Sequence, residues 1–226
     1  MSGIARDSHL TSWKIGLLTV VILPILFLGC GKYVRSADPA GTPSLHAIQN
    51  FIHVPLTRQA TDYTCGIAAL QSVLYYYGEE FREDQLVEKL QPTLKDGTKY
   101  LEIAKFAQSL NFRVDIRTAM TQDDLQRLLS EKKPVILLIQ AWSESRVDYT
   151  QDWDDGHYVV AMGYDHQNIY FMDPSTLGNY TFIPVREFLD RWHDRDGQTH
   201  LHQFGMVLTK EPVREIYNPD KIKRMR

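Results

Sequence analysis

The chain has 226 residues, a formal net charge of −3, 43% hydrophobic and 23% charged residues, and two cysteines. That length suits one ordinary domain with an appendage, and the composition is that of a globular protein. It excludes a disordered acidic chain, a collagen-like chain, a disulfide scaffold, and the broad basic surface that nucleic-acid binding needs.

Ile15–Leu28 is a run of fourteen residues without charge, preceded by Arg6, Asp7 and Lys14. Such a run matches a signal-peptide core and falls short of the ~20 apolar residues a spanning helix needs. The stretch Phe27-Leu28-Gly29-Cys30 resembles the bacterial lipobox, which makes Cys30 the expected site of lipidation. Phe27 stands where that motif usually has Leu. An uncleaved anchor over about Trp13–Gly31 is the alternative. Either reading places the chain on the membrane of a bacterial cell envelope, with its folded part outside the cytoplasm. Residues 1–29 are thus read as signal or anchor. Residues 30–50, rich in Ser, Pro, Gly and Ala, read as a linker, and residues 51–210 as the domain. The basic-rich tail 211–226 is a candidate for touching anionic headgroups.

Within the domain, Ile67, Leu70, Val73, Leu74 and Tyr77 fall at helical spacing and Gly78 supplies a stop, which predicts a helix over Cys65–Tyr77. Arg82–Leu90, Lys99–Leu110 and Thr121–Glu131 also read as amphipathic helices, with Phe112–Arg117 as a strand. Further strands are expected at Pro134–Gln140, His157–Tyr164, Ile169–Met172, Tyr180–Pro184 and Gln203–Thr209, with a short helix at Val185–His193. Helices come first and strands later, so the fold class is α+β, with N-terminal helices packed on an antiparallel sheet. No GxxxxGK[ST] occurs, which removes a nucleotide-hydrolysing loop.

Cys65 stands where the first helix should start. There the positive end of the helix dipole and unpaired N–H groups favour thiolate over thiol. A lone cysteine is as readily a small buried hydrophobe. A thiolate nucleophile wants an imidazole, and His157 stands immediately before the apolar run Tyr158–Met162. Asp173 follows sixteen residues later. A fold-back near Asp165 brings it roughly opposite His157, where a carboxylate orients the ring. Gln59, six residues before Cys65, could set its amide beside the Cys65 N–H as an oxyanion donor.

In this order, Gln59–Cys65–Gly66–Ile67–Ala68, Gly156–His157–Tyr158–Val159–Val160 and Met172–Asp173–Pro174 resemble the bacteriocin-processing, double-glycine cysteine peptidases of the papain-like clan. The resemblance covers about residues 51–210. It implies a papain-like fold, no cofactor, Cys65 as nucleophile, His157 as general base and acid, Asp173 as its partner and Gln59 as oxyanion donor. It also implies cleavage after small residues such as Gly-Gly. Thr64 and Ala69 depart from the family, where an Asp often precedes the nucleophile and a second cysteine often follows it by four residues. The best-known members are fused to an exporter, so the expectation here is a stand-alone exported member.

Trp142–Gly156 is a long polar segment carrying five acids against Arg146. It is expected to flank the cleft and favour basic or polar substrate segments, with Trp142, Trp153 and Gly156 as substrate-binding residues. His193, His200 and His202 have no standard metal-ligand spacing and are read as exposed loop histidines, so no metal is expected. The expected partners are a protein or peptide substrate and the membrane, with neither nucleic acid nor nucleotide. Hydrolysis is favoured; acyl transfer by the same residues, or a catalytically silent peptide-binding module, are the alternatives.

Overall fold

α1 (Cys65–Tyr76) is the organising element: of its residues, Tyr75 alone is not buried. A helix apolar on nearly every side must sit inside the molecule, and α1 packs against the sheet with α2 (Glu83–Leu90) and α3 (Tyr100–Ser109) against it. This computed structural model describes residues 45, 48–143, 145, 147–176, 178–211, 216–222 and 224–225. The signal or anchor, Cys30 and nearly all of the linker lie outside the described residues. Thr42–Arg226 form one compact unit.

α2 begins with Glu83 and Asp84, acids that suit a helix N-terminus, and buries Leu86 and Leu90. α4 (Gln122–Ser130) starts with a capping box. Asp124 N–H donates to Thr121 Oγ1 at 3.1 Å, and Thr121 N–H donates back to Asp124 Oδ2 at 3.2 Å. Leu125, Leu128 and Leu129 form its buried stripe.

β1 (Arg113–Arg117), β2 (Val135–Gln140), β3 (Gly156–Tyr164), β4 (Asn168–Met172), β5 (Thr181–Pro184) and β8 (Gly205–Thr209) form one antiparallel sheet. Its order is β1-β8-β2-β3-β4-β5. Every residue of β2 is buried, so both faces of the sheet centre are covered. The fold class is the expected α+β, and each predicted element is present to within a few residues.

The exception lies near the C-terminus. The helix expected to reach His193 ends earlier: α5 spans Val185–Arg191. Trp192 is buried behind it, donating Nε1–H to Phe204 O at 2.9 Å and accepting from Gln203 N–H at 2.8 Å. Gln203 is therefore not part of the strand expected from it. The segment between is not loop but a hairpin, β6 (His193–Asp196) and β7 (Thr199–His202), turning at Gly197 with φ +61°. Asp196-Gly197 is a turn signal that could have revealed it, but its strands lack an apolar face.

Candidate active site

Cys65 is the first residue of α1, carries a free thiol and is buried, yet it lines an open cleft. The helix start has no side-chain cap and no acid in its first turn. Thr64, at the cap position, instead takes its hydroxyl back to Thr61, bonding Thr61 O and receiving Thr61 N–H, each at 3.1 Å. Nothing on the helix therefore offsets the positive field at Cys65. Gly66 is required by close approach. A Cβ there would lie 2.7 Å from Thr98 Cβ and 3.0 Å from the Tyr158 ring.

β3 supplies His157, and the turn after β4 supplies Asp173. Val160 pairs with Met172, and a bulge between Ala161 and Gly163 shifts the register beyond. Continued past β4, that register sets Asp173 level with Val159, one same-face position along from His157, within diagonal reach. The expected meeting occurs: His157 Nε2 lies 2.8 Å from Asp173 Oδ1. Since an ionised carboxylate only accepts, Nε2 carries the proton, and Nδ1 is left for the hydrogen bond His157 shares with Cys65.

The electrostatics agree with an ion pair. Burial alone would lower the His157 pKa. The bonds to Asp173 and Cys65, and their charges, outweigh it and push the imidazole up to about 9. Burial would likewise raise Asp173, but the His157 bond and charge, the Ser175 N–H at 2.8 Å and the Trp142 indole hold it below its ordinary value.

Trp142, expected as a substrate contact, is 59% exposed and stands beside Asp173. Its Nε1–H donates to Asp173 Oδ2 at 3.1 Å, and it is absent from the cleft wall that holds Cys65. A bulky residue at φ +65° is an outlier, and here that backbone carries the indole to the carboxylate. Trp153 and Gly156, in contrast, do line the cleft.

Gln59 sits on a strap that crosses the site. Thr57 Oγ1 donates to Ala68 O at 2.7 Å, tying the strap to α1. Gln59 N–H donates to Pro174 O at 3.1 Å, tying it to the turn beside Asp173. The Gln59 amide donates from Nε2 to Thr61 O at 3.0 Å and accepts from Ser175 Oγ at 3.2 Å.

The cleft measures about 520 Å³. It runs between the 94–98 loop, the backbone of Gly156 and the β6–β7 hairpin that the sequence reading missed. His193, read as an exposed loop residue, is buried on β6, and its Nε2 is 2.7 Å from Asp152 O. Its ring, with those of His200 and His202, surrounds Trp153 at centroid distances of 4.4, 4.6 and 5.2 Å.

A family profile described as the Peptidase_C39 like family matches residues 51–200, most of the chain. The chain belongs to this family. Among sequences similar to this C39-like chain, the pediocin PA-1 transport/processing ATP-binding protein PedD of Pediococcus acidilactici is 26% identical over 140 residues. That match covers 62% of this chain and 18% of PedD. The transport/processing ATP-binding protein ComA of Streptococcus pneumoniae is 30% identical over 135 residues, covering 59% of this chain and 17% of ComA. The C39-like chain thus spans less than a fifth of either relative.

Among solved structures, a chain assigned as a C39-like peptidase from Bacillus anthracis superposes with a TM-score of 0.57 at 16% identity. It covers 73% of this chain and 97% of the other. The peptidase domain of Streptococcus ComA gives 0.52 at 23% identity, covering 69% and 98%. A double-glycine-motif protease from an AMS/PCAT transporter, solved with its leader peptide, gives 0.50 at 20%, covering 71% and 94%. At these identities the likeness establishes the fold.

Proposed function

We propose that this C39-like chain is a cysteine peptidase that cleaves a peptide bond in an exported protein or peptide. The observation that carries the reading is the chain of contacts from Cys65 through His157 to Asp173, begun at an uncapped helix N-terminus. The thiolate of Cys65 attacks the substrate carbonyl, forming an S–C bond and a tetrahedral oxyanion. The Cys65 backbone N–H and a Gln59 Nε2–H donate to that oxygen, the amide swinging from Thr61 as substrate enters. The His157 imidazolium gives its Nδ1 proton to the leaving amine as the C–N bond breaks. Water, deprotonated by His157, then hydrolyses the thioester and releases Cys65. Asp173 holds the ring throughout.

Small residues such as Gly-Gly before the scissile bond are the family's preference and the first to try. The similarity to a protease solved with its leader peptide supports a peptide substrate. Lipidation at Cys30, or an uncleaved anchor over Trp13–Gly31, would hold the domain on a membrane of the bacterial cell envelope, outside the cytoplasm. The test is hydrolysis of quenched peptide libraries by the full chain and by Cys65→Ala. Turnover that disappears in the variant supports a peptidase. Peptide binding without turnover in either form assigns a silent binding module.

A further inference from the structure

The cleft beside Cys65 carries a charge pattern that the peptidase reading alone does not use. Five aspartates line it against Lys95 and Arg195. Arg195 is turned to Asp154, with Nη2 at 2.6 Å from Oδ1. That leaves Asp194 and Asp196, on the same hairpin strand, without a side-chain cation bonded to either among the described residues. Asp194 is 7% exposed and accepts from the Gln140 amide at 3.1 Å. Its carboxylate packs so close to the Gly156 backbone that any Cβ there would overlap it. Burial pushes Asp194 up to about 6, with the charge of Asp196 adding to the rise, against the Arg195 N–H and Gln140 that lower it. Among the described residues, Asp196 Oδ2 accepts from Tyr100 N–H at 3.2 Å, with the charge of Lys99 acting on it from nearby.

A second, independent feature points the same way. Thr98, 2% exposed and part of the cleft wall next to Gly66, has a hydroxyl without a hydrogen-bond partner. Buried hydroxyls are normally satisfied, and this one is the unpartnered buried side-chain oxygen in the cleft wall among the described residues, so a ligand's polar group that reached it would supply the missing bond. At the rim, Leu94 is 86% exposed, an apolar surface beside the acids. An aliphatic stem with a cationic head matches that sequence of surfaces.

Resting on the peptidase reading, we propose that this cleft is a subsite for a lysine or arginine side chain of the substrate, close to the scissile bond. Asp194 and Asp196 receive the cationic head, the Thr98 hydroxyl lies beside it, and Leu94 packs on the stem.

The test needs only the thiol and the cleft. The full chain is alkylated at Cys65 with two chloroacetamides of equal length, one ending in guanidinium and one in a methyl group. The guanidinium reagent is expected to react about tenfold faster, the size of a well-placed partly buried ion pair. That ratio should fall toward one in Asp194→Asn and in Asp196→Asn, each compared within the same variant so that a general loss of reactivity cancels. A wild-type ratio near one, a ratio unchanged in both variants, or a thiol closed to both reagents overturns the subsite. A charge preference without peptide hydrolysis would sink the peptidase reading and leave the subsite standing. In N-acetylated quenched peptides, an internal Lys or Arg should outperform norleucine. A preference abolished by N-acetylation would assign the acids to a chain terminus and overturn the side-chain proposal.

Discussion

His157 Nε2 and Asp173 Oδ1 meet at 2.8 Å with both side chains almost wholly buried, 7% and 4% exposed. Deprived of water, each depends on the other, and Asp173 additionally collects the Ser175 N–H and the Trp142 indole. Asp173→Asn keeps the shape but offers the ring a mixed donor and acceptor. Turnover is expected to fall by about 10²- to 10⁴-fold, the range seen when an orienting carboxylate is neutralised. Measured kcat at unchanged thermal stability would check it; a loss of less than threefold, roughly the noise of a structural effect, would remove Asp173 from the mechanism.

The pH dependence follows from His157. Its folded-state value is raised to about 9 from 6.5. The stability contributed by the ionised ring is therefore fully present below 6.5 and lost as pH rises through about 9. In the proposed mechanism the imidazolium protonates the leaving amine, and it disappears as pH passes through about 9. The unfolding midpoint should decline between about pH 6.5 and 9, and kcat/KM should fall as pH passes through about 9. In Asp173→Asn the alkaline limb should move to lower pH. An unmoved limb would show that another group sets it.

Gln59 and His157 should separate in their effects. Gln59→Ala removes a donor needed only when the oxyanion forms, and about a 10²- to 10³-fold loss in kcat is expected. Alkylation of Cys65 by a small haloacetamide, which forms no oxyanion, should be nearly unaffected. His157→Ala should slow both reactions. Equal slowing of alkylation in the two variants would assign Gln59 to structure.

Gly66 is a packing constraint on the start of α1, next to Cys65. Gly66→Ala drives a methyl against Thr98 and Tyr158, and should cost about 1–3 kcal/mol through overpacking. Chemical denaturation reads that loss, and the shifted helix start should slow alkylation of Cys65. A fully stable variant would mean that Thr98 gives way freely.

Trp142→Phe keeps the ring and deletes the N–H bonded to Asp173. One hydrogen bond to a charged group is worth about 1.5–3 kcal/mol, so a drop in kcat of at least several-fold is expected. If Trp142 instead held substrate, KM would rise with kcat unchanged.

The sequence by itself determined the helices, most of the strands and the residues of the Cys65–His157–Asp173 row. These follow from local periodicity, and in the last case from a chain reversal near Asp165 whose strands are adjacent. The tertiary structure decided what depends on distant pairing. β8 inserts between β1 and β2, and the strap at Thr57–Gln59 is bound to both α1 and the turn after β4. The register at His157 depends on the bulge at Ala161/Gly163, and no alternation of apolar and polar residues announces it. The β6–β7 hairpin was hidden for another reason. Its strands carry His, Asp and Arg, because they wall a polar cleft instead of burying an apolar face. A pattern built on hydrophobic burial has no signal for such a segment, yet it places Asp194 and Asp196 in the same cleft wall as Cys65.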